Sequence, residues 1–128
     1  MNNGTDMLIT LITGKQDRGT RATLALSWGC AALAMGQNVT LFLTMDGTVW
    51  ASEGYSKGVL VEGFEALEVY FEQFIDLGGE LLVCAPCSQY YCSIDGEGIG
   101  GALRKEAQLS GLATVVSRIS PTTKTVTF

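Results

Sequence analysis

Histidine is missing from this 128-residue chain. Its absence rules out Ser-His-Asp and Cys-His catalysis within the chain and takes away the most frequent nitrogen ligand for a metal. Charge is also scarce. Charged residues make up 16% of the sequence, well under the roughly one quarter of an ordinary globular protein. Eight basic residues stand against thirteen acidic ones, for a net charge of -5. An acidic chain offers no basic face to phosphates, so nucleic acid is excluded as a partner. Long apolar runs are lacking too. Leu24 to Met35 is the longest and falls short of the ~20 residues that cross a bilayer. Met7 to Thr13 is too short for a signal sequence, and Met1 to Asp6 carries no basic n-region. The expectation is a soluble, cytoplasmic protein with no membrane partner. No dinucleotide fingerprint follows the first apolar run, and no carboxylate pair is placed as in a glycosidase.

Sulfur fills part of that gap. Three of the four cysteines, Cys84, Cys87 and Cys92, fall within nine residues. In a reducing compartment such clusters are more often catalytic or metal-binding than structural disulfides. The apolar run Leu81-Leu82-Val83 reads as a buried strand with Cys84-Ala85-Pro86-Cys87 at its carboxyl end, where open parallel sheets place ligands and chemistry. A thiol there needs partial exposure and a lowered pKa to react, and the backbone N–H groups of a following helical turn favour a thiolate. A metal or iron–sulfur site would need a fourth ligand beside Cys84, Cys87 and Cys92, and Cys30 is the only cysteine left. No metal and no cofactor are expected.

The rest of the chain frames that stretch. Met7–Thr13 and Asn38–Met45 are nearly continuous apolar runs, as expected of strands buried on both faces. Between them, Thr20 is placed to N-cap a helix over Arg21–Met35 that Gly36 ends. That helix is apolar nearly all round, which suits burial on more than one side, and Cys30 within it reads as a small core hydrophobe. Gly14 closes the first strand, and Lys15, Arg18 and Arg21 follow it. They form either a solvated loop and helix start or an electropositive rim at the sheet edge. Asp46-Gly47 closes the second strand, and Gly14, Lys15, Asp46 and Gly47 are candidate binding residues beside the cysteines. Thr48–Gly63 has no period and reads as a long loop over the sheet. Phe64–Leu77 is an amphipathic helix, with Phe64, Leu67, Phe71, Phe74 and Ile75 on one stripe. Glu65, Glu68, Glu72 and Asp76 form a second stripe, read as a solvated face. After Cys92 a glycine-rich connector, Ser93–Gly101, lacks the Gly-Lys-Ser/Thr of a phosphate loop. A short helical turn over Ala102–Glu106, a strand over Gln108–Gly111, a helix over Thr114–Ser120 and a closing strand over Thr125–Phe128 complete the chain. This order describes one domain over residues 1–128, a three-layer α/β/α sandwich with a mostly parallel sheet of about five strands.

Taken together, Thr13-Gly14, Ala25-Leu26, Ala31 to Gly36, Val39 to Phe42, Met45-Asp46-Gly47, Leu82-Val83-Cys84 and Val126-Thr127-Phe128 give the chain an order of motifs that resembles the DsrE/DsrF-like family. The resemblance runs over almost the whole chain. It implies a small sulfur-relay protein whose working cysteine, matched here by Cys84, carries sulfur as a persulfide. Cys87 matches the second cysteine of some members. Where the family commonly continues to Arg-Gly, this chain has Tyr90-Tyr91-Cys92, so no local arginine stands ready to activate the thiol. The resemblance also implies a homo-oligomer, a trimer or a hexamer built from trimers, in keeping with the low charge and the all-round apolar helix. A sulfur donor or acceptor protein would be the other partner. Two alternatives remain beside a sulfurtransferase-like carrier. One is a dithiol/disulfide redox protein, since Cys84-Ala85-Pro86-Cys87 carries a proline before its second cysteine as thioredoxins do. The other is a non-enzymatic oligomeric subunit that binds a ligand or partner and whose cysteines are inert.

Overall fold

The computed structural model describes residues 4–91 and 103–128. Cys92, the Ser93–Gly101 connector and Ala102 lie outside the described residues. Among the described residues, strands and α-helices follow one another as β1 (Met7–Leu11), α1 (Thr20–Ala34), β2 (Val39–Leu43), α2 (Leu67–Asp76), β3 (Glu80–Cys84), α3 (Ala85–Tyr91), β4 (Gln108–Ser110), α4 (Leu112–Ser117) and β5 (Lys124–Thr127). The five strands form one sheet in the order β4-β3-β2-β1-β5, every pairing parallel. The runs at the first, second and cysteine strands are therefore neighbours, as their continuous apolarity predicts.

Strand alternation divides the core into two. Ile9, Leu11, Leu41, Leu43, Leu81 and Val83 belong to the larger cluster, with Ala25 and Leu26 of α1 and Leu67, Phe71 and Phe74 of α2. Leu8, Phe42, Leu82 and Cys84 point the other way and meet Val115 of α4 and the half-buried Cys87 of α3. Gly29 lets the two long helices close on this frame, because a Cβ there would meet the Phe74 ring at 2.9 Å and Ile9 at 3.3 Å.

Several boundaries differ from the sequence reading, each for a local reason. Gly19, with φ 85°, is the N-cap of α1 and Thr20 is its first residue. The capping acceptor is the Asp17 carboxylate, which takes the N–H groups of Gly19 at 3.1 Å and Arg21 at 2.9 Å. Helix α2 starts three residues later than its apolar stripe suggests, because Gly63 takes φ 91° and Ala66 is extended at ψ 142°. That leaves Phe64 outside the helix and exposed. The expected turn before β4 is a turn at Lys105 and Glu106 rather than a helix, and α4 begins at Leu112 rather than Thr114.

The segment after β2 is less open than a long loop. It begins as a 3-10 helix over Met45–Ala51, with Trp50 fully buried and its Nε1 donating to the Thr13 carbonyl at 2.8 Å. Glu68 also departs from its solvated stripe. Arg104, 9% exposed, stacks over Phe71 at 3.9 Å and donates to Glu68 at 3.1 Å, to Ser56 and to the Trp50 carbonyl at 2.8 Å. Burial pushes the Glu68 carboxyl up, but the hydrogen bonds from Arg104 and Ser56, with the charges of Arg104 and Lys57, hold it below its usual range.

At the amino end of β3, Arg118 grips Glu80 with two bonds, Nε to Oε1 at 2.8 Å and Nη2 to Oε2 at 2.7 Å, and Thr40 donates to the same carboxylate at 2.8 Å. These bonds, Arg118 foremost, hold the Glu80 carboxyl below its ordinary 4.5 despite partial burial. A carboxyl depressed in the folded state adds stability that is complete above its unfolded pKa and is lost as pH falls through its folded value. Arg118→Ala is therefore expected to cost on the order of 1 kcal/mol near neutral pH. The deficit against the parent should shrink as the pH drops below 4.5. Urea unfolding at stepped pH measures both; a deficit that stays constant with pH would show that the pair is not the cause.

Candidate functional site

The parallel register sets Leu43 beside Val83, so the chain leaves β2 and β3 at the same edge. From β2 it passes through Thr44, extended at φ -143°, to Met45, which holds the left-handed φ of 52°. Few residues other than glycine and asparagine accept that conformation readily. Its neighbours enforce it here. The Gly47 N–H donates to the Thr44 carbonyl at 2.9 Å and the Thr48 hydroxyl to the Met45 carbonyl at 2.9 Å. A Cβ on Gly47 would overlap the Leu11 carbonyl. From β3 the chain turns directly into α3, and Cys87 is that helix's third residue. The two turns meet there. The Thr44 hydroxyl lies 3.5 Å from the Cys87 sulfur, and the Cys87 thiol donates to the Met45 thioether at 3.8 Å.

Cys84 does end its strand at the carboxyl edge, as its place after Leu81-Leu82-Val83 predicts. Its side chain is only 6% exposed, though, and packs with Leu8, Phe42, Leu82 and Val115 rather than opening on a crevice. Cys87 packs on that cluster from outside and is half-buried. Burial pushes the Cys87 thiol up, but hydrogen bonds from Thr44, from the Cys84 thiol and from the backbone of Met45 outweigh it and hold the thiol below its ordinary 9.0. Hydrogen bonds thus do the work that a cationic rim would have done. Arg21 is paired with Asp17 at 3.2 Å, and the Lys15 ammonium sits 4.1 Å over the Tyr55 ring. Cys30 is buried, donates to the Tyr70 carbonyl at 3.4 Å and is pushed up to about 11 by burial, as a core thiol should be.

The candidate binding residues assemble one strand further along the same edge. Gly14 approaches Asp46 so closely that a Cβ would stand 2.8 Å from its carbonyl, and Gln16 donates to the Asp46 carboxylate at 2.9 Å. Gly47 gives Met45 its close seat against β1. Thr44 and Met45 escaped the sequence reading, which took Met45 as the end of a strand. Nothing local marks them, since their partner is 42 or 43 residues away.

Residues 7–128 match the DsrE/DsrF-like family. The chain belongs to that family. An uncharacterised protein of Methanopyrus kandleri is 31% identical over 86 residues, which span 67% of this chain and 68% of that protein. The fold is shared with the crystal structure of the YchN protein of E. coli, at a TM-score of 0.72 and 18% identity over 96% of this chain and 98% of that one. The likeness over nearly both full lengths agrees with the all-parallel sheet and its helices.

In this family member the two clustered thiols that are described differ in exposure, and Cys87 is the one held below the ordinary thiol range by hydrogen bonds. Iodoacetamide at pH 7.5 is therefore expected to label Cys87 well before Cys84 and to spare Cys30 in the folded protein. Thr44→Val removes one hydrogen bond to the thiolate and should slow Cys87 labelling several-fold while moving its pH midpoint upward. Peptide mapping with time gives the order; equal rates at Cys84 and Cys87, or no change in Thr44→Val, would refute this account of the thiol.

Proposed function

We propose that this DsrE/DsrF-like protein is a sulfur-relay protein that carries a persulfide on its Cys84/Cys87 pair. The observation that carries the reading is Cys87: a half-buried thiol, held acidic by three hydrogen bonds, with a second thiol against it. Membership of a family associated with sulfur relay supplies the class of reaction. The strand-end position of Cys84 and the greater exposure of Cys87 suggest a division of labour. The Cys87 thiolate attacks the outer sulfur of a donor persulfide, R–S–SH; the donor S–S bond breaks, R–S⁻ leaves, and Cys87–S–SH forms. An acceptor thiolate then takes the outer sulfur and restores the Cys87 thiolate. Alternatively the Cys84 thiolate attacks the inner sulfur, expels HS⁻ and closes a Cys84–Cys87 disulfide. No cofactor is needed in either branch. Lys15 and Asp46 form the adjoining rim against which a donor or acceptor would dock, with Gly14 and Gly47 buried beneath it as close-packing positions.

Such transfer calls for protein partners, and the surface fits company. Leu109, Leu112, Val116 and Ile119 are all about half exposed or more around α4, and Met35 at the end of α1 is 80% exposed. Unshielded apolar area of this kind favours self-association into a trimer or hexamer. Dithiol redox chemistry is a second reading, favoured by the contact between the two thiols.

Intact mass after incubation with a persulfide donor separates these readings. The carrier is expected to gain one sulfur atom, lost on cyanolysis and located on the Cys87 peptide. Cys87→Ser should abolish the gain. Cys84→Ser should load but fail to release sulfide by disulfide closure. Loss of two hydrogens without any sulfur gain would replace the carrier by a dithiol redox protein. No change in mass would leave a scaffold.

A further inference from the structure

The Cys84/Cys87 edge holds a third sulfur that neither persulfide chemistry nor dithiol chemistry uses. Met45 puts its thioether 3.8 Å from the Cys87 sulfur, while Cys87 is also in contact with Cys84. Cys87 thus has a second sulfur on either side of it, Met45 from the left-handed turn after β2 and Cys84 from the end of the strand that leads into its own helix. From these positions we propose that Met45, Cys84 and Cys87 form a binding site for a soft monovalent cation, Cu(I), with two thiolates and one thioether as ligands.

Spacing is the first support. A metal–sulfur bond of roughly 2.3 Å places sulfurs that share one ion roughly 3.8–4.0 Å apart. Cys87 and Met45 stand at that separation already. Donor type is the second. Thiolate and thioether together select Cu(I), whereas hard cations want oxygen and zinc wants four thiolate, imidazole or carboxylate donors. Among the described residues no three histidine, cysteine, aspartate or glutamate side chains gather around one point. A site whose third donor is a thioether therefore suits copper and not zinc. Rigidity is the third. Met45 is 51% exposed, a setting in which a thioether would ordinarily wander, yet its backbone is clamped in a costly conformation by Gly47 against Leu11 and by Thr48. A methionine held in a left-handed turn over a cysteine is a positioned donor rather than a gap-filler.

Binding balances simply. Cu(I) displaces the protons of the Cys84 and Cys87 thiols and accepts the neutral thioether, so two protons are released and no electron moves. The site then carries one net negative charge. Affinity rises with pH through the thiol range, because each thiol must shed its proton before it can bind the ion.

The test uses the whole chain, fully reduced, free of persulfide and kept anaerobic with ascorbate. Cu(I) is supplied as its coloured bicinchoninate complex, and Zn(II) serves as the comparison ion. One equivalent of Cu(I) is expected to pass to the protein, with Zn(II) failing to displace it. Met45→Leu keeps the bulk and the backbone demand of the native residue. It should weaken Cu(I) binding at least about tenfold, the scale on which lost metal-site support is felt. X-ray absorption should count three sulfurs around copper in the parent and two in Met45→Leu. Cys87→Ser, a half-buried and tolerant substitution, should abolish uptake, and Cys92→Ser should leave it intact. The proposal fails if the protein takes no Cu(I) from bicinchoninate or if Zn(II) displaces it. It fails equally if Met45→Leu retains parental affinity and three sulfurs, or if Cys92→Ser removes the site. Because this readout is metal on sulfur-free protein, it stands or falls apart from persulfide loading.

Discussion

Parallel pairing of β2 between β1 and β3 is the constraint on which everything else rests. All five residues of Val39–Leu43 are buried, so the strand is fixed by packing on both faces and by ladders on both edges. A slip of one residue would exchange Leu41 and Leu43 with Thr40 and Phe42 and place a hydroxyl in the larger core. With that register set, the residue after β2 and the residues after β3 must leave the sheet side by side. Thr44, Met45 and Cys87 meet for that reason, although none of them contributes much to the core.

The two faces of the sheet are furnished unequally. One face carries the two long helices and nearly all the large side chains, Trp50, Phe71 and Phe74 among them. The other holds a cluster of five buried residues under two short helices, and Cys84 is one of the five. A thin layer of this sort supplies little hydrophobic stabilisation, since burial of apolar area contributes only about 25 cal/mol per Å². It does bring the surface close to a strand-end thiol. A cysteine ending the same strand but pointing to the opposite face would lie beneath α1 and α2, out of reach of any second protein. Alternation along Leu81-Leu82-Val83-Cys84 thus decides which face of the sheet holds the strand-end thiol.

Most of the frame was legible from residues alone because it depends on local pattern. Continuous apolar runs gave three adjacent parallel strands, and Gly36 marked the end of the first helix. The departures occur where a distant partner overrides the local signal. Glu68 looked like one more charge on a solvated stripe until Arg104 came within 3.1 Å from 36 residues away. Thr20 looked like the helix cap, yet Asp17 reaches over Gly19 to do that work. Lys15, Arg18 and Arg21 suggested an electropositive rim, but Lys15 settles on an aromatic ring and Arg21 on a carboxylate. At the site the two cysteines could be read from their spacing. Their ranking could not, because exposure depends on Val115 and Phe42, and acidity on Thr44.

That ranking changes how the pair is understood. A strand-end cysteine is a natural first choice for the working thiol, since the sheet holds its backbone still. Stillness and access pull apart here, however. Cys84 has the rigid backbone and the enclosed sulfur; Cys87, one helical turn on, has the open sulfur and the hydrogen bonds that favour its thiolate. In the proposed relay, an enclosed thiol beside a half-buried one held acidic suits attack from outside on Cys87 and resolution from inside by Cys84, because the outer group meets the bulky donor while the inner one need only reach its neighbour. The same asymmetry suits a soft cation entering from the Met45 side. Thiolate character at Cys87 is the property both chemistries require, and it comes from neutral donors of the β2 turn and the neighbouring Cys84 thiol rather than from a nearby cation. Held in this way, one half-buried sulfur would serve the proposed sulfur transfer and the proposed copper site alike, and the Thr44–Met45 turn is the part of the fold that supplies hydrogen bonds to it.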